Sequence, residues 1–370
     1  MTASESHRCS DNVDEKTGDN TGSSTGSGPG DSTGDNTGDR SLWLDRRHTL
    51  WMLHLALPFR FGKLLCGLLI SVALWLLMGQ IPGHVSFYLK LFFVGTCGYI
   101  VPVFIHVIER TLLAFDTVAP LLDVQEEELV IWRRALTRRS RRWIILVVMA
   151  SVLFWFAHIY LLELSMGRDP QNFFGTGQYA STVGALFVWL CMTFAISALS
   201  ENASSLARIS NRLNVDLLRG TGQVELARVA VISMLSVIGA QSLFVLMIID
   251  AQSNWAAFLP GFILTTIPML ALFFVPVWPL HRRLKYAKEQ ELHNIDTRLA
   301  ILRPGPETDF DDGPKMDQLN VLLNYRREIR QVSEWPFNVP VLIRLGLYLV
   351  LPPLTWVGAA LIENVVDSMI

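Results

Sequence analysis

Seven blocks of mostly apolar residues, each about 20 residues long, constrain this chain more than any other feature of its sequence. They lie at residues 64–81, 89–108, 143–162, 179–200, 229–249, 258–280 and 341–362. An α-helix rises about 1.5 Å per residue, so each block is close to the length that crosses the hydrocarbon core of a bilayer. Only 17% of the 370 residues are charged, whereas soluble domains contain about 25%. The sequence therefore predicts an all-α integral membrane protein with seven transmembrane helices.

The basic residues predict the orientation of these helices. Of the 31 Lys and Arg residues, 28 lie before the first block or in three long connections between blocks. These segments are residues 1–63, 109–142, 201–228 and 281–340. Cationic connections are retained in the cytoplasm during insertion. We therefore expect a cytoplasmic N-terminus, cytoplasmic long connections and an extracytoplasmic C-terminus.

The composition divides the chain into four expected parts. Residues 1–40 are low-complexity and almost free of apolar side chains, so they bury too little surface to offset the entropy cost of ordering. We expect them to form a disordered cytoplasmic tail. A six-span bundle with helical cytoplasmic loops is expected at residues 41–280, a cytoplasmic helical hairpin at 281–338, and the seventh span with a short outer tail at 339–370.

The hairpin is predicted from two stretches with the apolar spacing of amphipathic helices. In residues 281–302 the apolar positions are Leu284, Leu292, Ile295, Leu299 and Leu302. In residues 315–335 they are Leu319, Leu322, Leu323, Ile329 and Val332. The sequence RPGPETDFDDGP separates the two stretches. Two amphipathic stretches of similar length around a Pro- and Gly-rich break predict an antiparallel pair of helices.

The first long connection also contains an amphipathic stretch, DVQEEELVIWRRALTRRSRR at residues 123–142. Asp123 and Glu126 have the spacing of a capping box, which predicts that a helix begins there. Acidic residues then occupy its first turn and arginines its last, as the helix dipole favours. LLDV in this connection and RLNV in the next, at residues 121–124 and 212–215, fall at similar places and hint at an internal repeat.

Polar residues inside a membrane span are candidates for function. No Asp or Glu lies inside any of the seven blocks, which disfavours a proton- or cation-coupled transporter. His158 and His106 are candidates for a proton or metal role, although each also suits a hydrogen bond between helices. Arg344 either pairs with a buried acceptor or an anionic headgroup, or extends to the inner interface.

Prolines in the last two blocks are candidate hinges, because each proline removes a helical hydrogen bond. They are Pro268 and Pro276 in the sixth block and Pro352 and Pro353 in the seventh.

The motifs of enzymes and cofactor sites are missing. The sequence contains no HExxH, no GxSxG and no Cys/His zinc spacing. GTGQ occurs at residues 175–178 and 220–223, but neither copy continues into the Lys-Ser/Thr of a phosphate-binding loop. We interpret each copy as a Gly turn followed by a Thr that caps a helix. We therefore expect no catalytic residue, no metal, no cofactor and no nucleic-acid partner.

The C-terminal stretch EWPFNVPVLIRLGLYLVLPPLTWVGAALIENVVD, residues 334–367, resembles a set of uncharacterised bacterial polytopic inner-membrane proteins. Asn338 stands where those proteins have Asp. The resemblance implies a bacterial inner-membrane location and carries no activity.

The function expected from the sequence is that of a non-enzymatic scaffold or signalling component. It would contact the lipid bilayer through its spans, and a protein partner or a second copy of itself through its cytoplasmic helices. The alternative is a channel or uncoupled transporter that uses proline-broken sixth and seventh spans.

Overall fold

The structure, a computed structural model, describes residues 51–55, 61–83, 85–167, 179–214, 217, 220–248, 255–302, 313–337 and 343–348, and single positions at 350, 354, 358, 361 and 365. The predicted disordered tail, the first GTGQ copy and both Pro352 and Pro353 lie outside the described residues.

The described residues are helical, as the sequence predicts, and contain no β-strand. The longer helices are α1 (Gly62–Gln80), α2 (Phe87–Val118), α3 (Glu126–Thr137), α4 (Arg141–Ser165), α5 (Tyr179–Ser210), α6 (Thr221–Ser242), α7 (Trp255–Leu302) and α8 (Gly313–Gln331). A short helical turn, Val245–Ile248, follows α6.

Six of the helices in the described part of the chain are long and apolar enough to cross a membrane. They are α1, α2, α4, α5, α6 with the turn that follows it, and α7. The chain is therefore a multi-pass membrane protein. The seventh apolar block lies largely outside the described residues, but positions 343–348 within it are helical.

The six spans form three pairs, each made of helices consecutive in sequence. Helix α1 packs on α2, α4 on α5, and α6 on α7. Helix α2 also contacts α5 and α6, and α5 contacts α7, so these four helices form the centre of the bundle. Helices α1 and α4 lie outside them. In the most apolar stretch of α2, 61% of the residues are buried. In that of α4 only 17% are buried, and Leu146, Met149 and Leu153 face outwards. A lipid-facing role explains such an apolar exposed surface.

Helices α1 and α2 approach closely because both have glycine at the crossing. A Cβ atom added to Gly67 would lie 2.5 Å from the backbone oxygen of Gly98, and one added to Gly98 would lie 3.0 Å from the backbone oxygen of Gly67. Small residues allow this kind of backbone contact between membrane helices. A Cβ atom added to Gly95, one turn away on α2, would have no other atom within 4 Å.

Helix α7 is continuous for 48 residues and contains Pro260, Pro268, Pro276 and Pro279. The backbone of the sixth span thus stays helical through its prolines, whereas the alternative function expected from the sequence uses a broken span. Each proline removes only one backbone hydrogen bond, and α7 packs against both α5 and α6. A hinge motion at Pro268 or Pro276 stays a prediction.

We name the two ends of the bundle by their connections. The short-connection end contains the last residues of α1 and α4 and the first residues of α2, α5 and α7. The long-connection end contains the last residues of α2 and α5, helix α3, the first residues of α4, and the part of α7 that pairs with α8.

At the long-connection end, the segments LLDV and RLNV lie side by side. Leu122 and Leu213 form an antiparallel β-bridge, and the backbone N–H of Asn214 donates to the carbonyl of Leu121 at 3.2 Å. Both leucines are buried. The two similar segments thus join the ends of α2 and α5 to each other.

The second GTGQ copy forms the beginning of α6. Gly220 lies in the left-handed region at φ 58° and is the N-cap, and no side chain caps the helix. Thr221 is therefore the first helical residue and not the cap that the sequence predicts. Gly222 is needed for a different reason, because a Cβ atom there would lie 2.8 Å from Leu121 Cδ1. The predicted capping box is also wrong, since α3 begins at Glu126 with Gln125 as its N-cap and Asp123 exposed.

Candidate functional site

The candidate functional site is the layer at the long-connection end in which the last part of α7 pairs with α8. Arg326 on α8 donates to both carboxylate oxygens of Asp296 on α7, at 2.6 and 3.3 Å. Tyr325 Oη donates to Glu291 Oε1 at 3.2 Å, and Lys288 Nζ donates to the carbonyl of Val332 at 2.8 Å. Later residues of α8 thus contact earlier residues of α7, so the two helices are antiparallel. We call them the α7–α8 hairpin.

An apolar seam supports these polar contacts. Leu284, Ile295 and Ile329 are buried, at 2%, 2% and 0% exposure. Leu319 and Leu322 are half-buried, but Leu323, which the sequence places on the same apolar stripe, is 45% exposed. Leu323 and Val321 therefore present apolar side chains outwards from α8.

The segment after α8 fastens the hairpin to the base of α7. The ring of Trp335 stacks on His281, with centroids 4.2 Å apart and ring planes 15° apart. His281 Nδ1 lies 2.8 Å from the carbonyl oxygen of Glu334, which can only accept, so Nδ1 carries the proton. Phe337 stacks on Phe273 with centroids 5.4 Å apart. The EWPF sequence therefore holds the end of the hairpin against α7.

A cleft of about 1150 Å³ lies between the hairpin and the bridged segments of α2 and α5. Its walls include Asp123, Arg212, Arg283 and Gln290, so the cleft is polar and carries both signs of charge. Arg283 donates to the carbonyl of Asn211, which links the hairpin to the end of α5. The salt bridge between Arg326 and Asp296 lowers the pKa of the Asp296 carboxyl, because the guanidinium donates hydrogen bonds to the charged form.

A buried arginine holds the α3–α4 connection against α5. The side chain of Arg139 is 6% exposed and lies 2.8 Å from Glu201 Oε2. Its Nη2 donates to Asn202 Oδ1 at 2.6 Å and to the carbonyl of Ala198 at 3.4 Å. Burial lowers the pKa of this guanidinium and the Glu201 charge partly offsets the effect, but an arginine remains charged. Sequence reasoning missed this residue, because Arg138, Arg139, Arg141 and Arg142 look alike in RRSRR.

His158 on α4 lies beside a cavity of about 200 Å³ in the short-connection half of the bundle. Its imidazole is 5.8 Å from the Trp189 ring on α5, measured between centroids. Its Nδ1 atom is buried and has no hydrogen-bond partner among the described residues. Of the candidates from the sequence, the structure thus places His158 next to a space that can hold a molecule.

His106 and Arg344 lie elsewhere. His106 is half-buried on α2, close to Lys63, which forms an ion pair with Glu109. Arg344 is exposed in the short helical stretch 343–348. The structure therefore does not bring His106, His158 and Arg344 together into one site.

A small cavity lies at the centre of the described part of the bundle. The cavity there has a volume of about 30 Å³ and is lined mainly by apolar side chains of α2, α5 and α6, among them Phe104, Leu199 and Val237. The buried amide of Gln241 on α6 donates to the hydroxyls of Thr265 and Thr266 on α7, at 2.9 and 3.0 Å. This polar group is satisfied within the protein, as buried polar groups usually are.

The described residues contain no cluster of three or more His, Cys, Asp or Glu side chains that could hold a metal ion. Comparisons of the chain with protein-family models, with curated proteins and with solved structures found no match.

Proposed function

We propose that the protein spans a bacterial inner membrane seven times, with the N-terminus and the long-connection end in the cytoplasm and the C-terminus outside. The six apolar spans, the helical residues 343–348 and the concentration of Lys and Arg in the long connections support this topology. The bacterial inner-membrane location rests on the resemblance of residues 334–367.

The protein acts as a non-enzymatic scaffold that binds a protein partner through the α7–α8 hairpin. The observation that carries this proposal is the combination of a well-fastened hairpin with apolar side chains left exposed on both flanks of α8. A salt bridge and a hydrogen bond link the two helices, a second salt bridge joins Lys288 on α7 to Glu334 after α8, and Trp335 and Phe337 stack on α7. Val321 and Leu323 nevertheless lie outwards at 67% and 45% exposure. A partner that grips the α7–α8 hairpin from its outer side would cover both of these side chains.

A channel or uncoupled transporter is the alternative function. It requires a polar path through the middle of the bundle. Helix α7 is continuous, and the central cavity is about 30 Å³ with mostly apolar walls. These features favour the scaffold.

Site-specific photo-crosslinking in intact cells tests the scaffold. A photoreactive amino acid replaces Asn324, which is exposed one turn from Val321. We expect a discrete crosslinked product, and we expect the double variant Val321→Asp/Leu323→Asp to lose it, because carboxylates do not replace apolar contacts. Asn320→Asp adds a charge to the same helix without removing apolar surface and should keep the product.

Two outcomes would contradict the proposal. If no discrete product forms from position 324, the hairpin serves only to cover the bundle. If Val321→Asp/Leu323→Asp gives the same product as the unmodified chain, the partner binds a different surface. Ile329→Asp provides a second comparison, because it places a charge in the buried seam and should abolish the product by separating the two helices.

A further inference from the structure

The cavity beside His158 combines an apolar body with a few polar groups at one side. Five segments line it: the first residues of α2, the last turns of α4, the first turns of α5, the end of α6 with its following turn, and the start of α7. Phe92, Phe93 and Phe244 form an aromatic group on one side, with the Phe92 and Phe244 centroids 5.1 Å apart. Mostly apolar walls with a small number of placed polar groups are the usual composition of a small-molecule site.

The polar groups converge from two helices. His158 and Glu163 come from the last turns of α4, and Ser181 and Thr182 from the first turn of α5. Glu163 is buried at 3% exposure. The backbone carbonyl of Thr182 accepts a hydrogen bond from Trp155 Nε1 at 3.0 Å, which fixes the two helices relative to each other at this point. The walls are therefore held in place by the protein itself.

His158 is the group that indicates a ligand. A neutral imidazole has one nitrogen that donates and one that accepts, and both normally find partners when buried. Nδ1 of His158 has none among the described residues. The Trp189 ring, whose centroid lies 5.8 Å from that of the imidazole, does not form a strong hydrogen bond with it.

We propose that this cavity binds a neutral, hydroxyl-bearing apolar molecule, with its hydroxyl at His158 and its apolar body against the phenylalanines. A hydroxyl both donates and accepts, so it serves either tautomer of the imidazole. A volume of about 200 Å³ suits a ring system or the head of a longer chain. This site is independent of the scaffold function and lies in the opposite half of the bundle.

A matched pair of probes tests the proposal on the full chain in detergent. The probes are 2-naphthol and naphthalene, which share one apolar body and differ by one hydroxyl. Their apparent affinities are measured from the rise in the melting temperature of the protein with probe concentration. We expect 2-naphthol to bind about tenfold more tightly than naphthalene, since one hydrogen bond in an apolar site gives a difference of that order.

Variants separate the site from partition into detergent. Ala185→Phe places a large side chain at a position that lines the cavity and should abolish binding of both probes. His158→Phe should keep naphthalene binding and remove the preference for 2-naphthol, whereas His158→Asn should restore part of it. His106→Phe is the control for replacing a histidine within a span and should leave the preference unchanged.

Three results would overturn the inference. Equal affinity of the unmodified protein for both probes would show that no hydroxyl is recognised. Unchanged binding to Ala185→Phe would show that the probes bind elsewhere or only partition into detergent. A preference that persists in His158→Phe would assign the hydrogen bond to another group. If His158→Phe fails to fold, the probe comparison on the unmodified protein and on Ala185→Phe decides the question.

Discussion

Replacing Arg139 by alanine tests whether one buried guanidinium fastens the α3–α4 connection to α5. The side chain is 6% exposed and contacts Asn202, Glu201 and the Ala198 carbonyl. A hydrogen bond to a charged group contributes about 1.5–3 kcal/mol. The Glu201 carboxylate is 45% exposed and stays solvated without its partner, so this ion pair adds only about 0–1 kcal/mol. We therefore expect Arg139→Ala to lower the free energy of unfolding by about 1.5–4 kcal/mol.

Arg142→Ala is the matched control, because it removes the same charge from an exposed position three residues away. We expect it to change the free energy of unfolding by less than about 0.5 kcal/mol. Arg139→Lys should fall between the two, since a lysine keeps the charge but does not reproduce the planar set of donors. Titration with SDS in mixed micelles measures the unfolding free energy of each variant. If Arg139→Ala unfolds within about 0.5 kcal/mol of Arg142→Ala, the buried cluster does not stabilise the fold and the reasoning is refuted.

The remaining predictions concern packing, pH, topology and the candidate arginine. Gly67→Ala and Gly98→Ala should each lower the unfolding free energy by about 1–3 kcal/mol, because the new Cβ overlaps the facing helix. Gly95→Ala should not, because its Cβ meets no atom within 4 Å. Equal effects of the three variants in the same SDS titration would contradict the close contact of α1 and α2 at Gly67 and Gly98. Because the pKa of Asp296 is lower in the folded hairpin, its ion pair with Arg326 stabilises the hairpin above the ordinary carboxyl pKa of about 3.9 and is lost as the pH falls through the folded value. The distance between spin labels at Asn294 and Glu328 should therefore stay constant between pH 7 and 5. A broadening of its distribution should appear only below about pH 4, and Asp296→Asn should reduce it. A phosphatase that is active only outside the cytoplasm should be active when fused after Asn254 or Ile370 and silent after Gly220 or Gly305; the reverse pattern would refute the orientation. Arg344→Lys should retain the melting temperature of the protein, because both side chains can extend to the interface from an exposed position; a large drop would indicate a bidentate contact.

The sequence by itself determined the class of the molecule and the position of its spans. Apolar blocks of about 20 residues leave few alternatives to membrane helices, because every backbone polar group in hydrocarbon must be satisfied within its own segment. The pairing of α7 with α8 could also be predicted. The apolar residues of 281–302 and of 315–335 recur at helical spacing, so each helix has an apolar face that needs a partner, and Ile295 and Ile329 are buried there. Local signals were weaker at helix ends. Asp123 and Thr221 have the chemistry of caps, but Gln125 and Gly220 are the N-caps, and the tertiary bridge between Leu122 and Leu213 lies close to both helix starts.

Only the tertiary structure decided which of several similar residues has a particular role. Four arginines in RRSRR are equivalent by composition, and only the packing of α5 against the α3–α4 connection buries Arg139. Leu323 satisfies the apolar spacing of α8 but lies outwards, because the direction of a stripe depends on the helix it meets. His158 and His106 are both single histidines in apolar spans, and only His158 lies beside a cavity, which forms where five segments distant in sequence meet. Sequence spacing reports neighbours along one helix, whereas cavities and buried charges depend on contacts between helices.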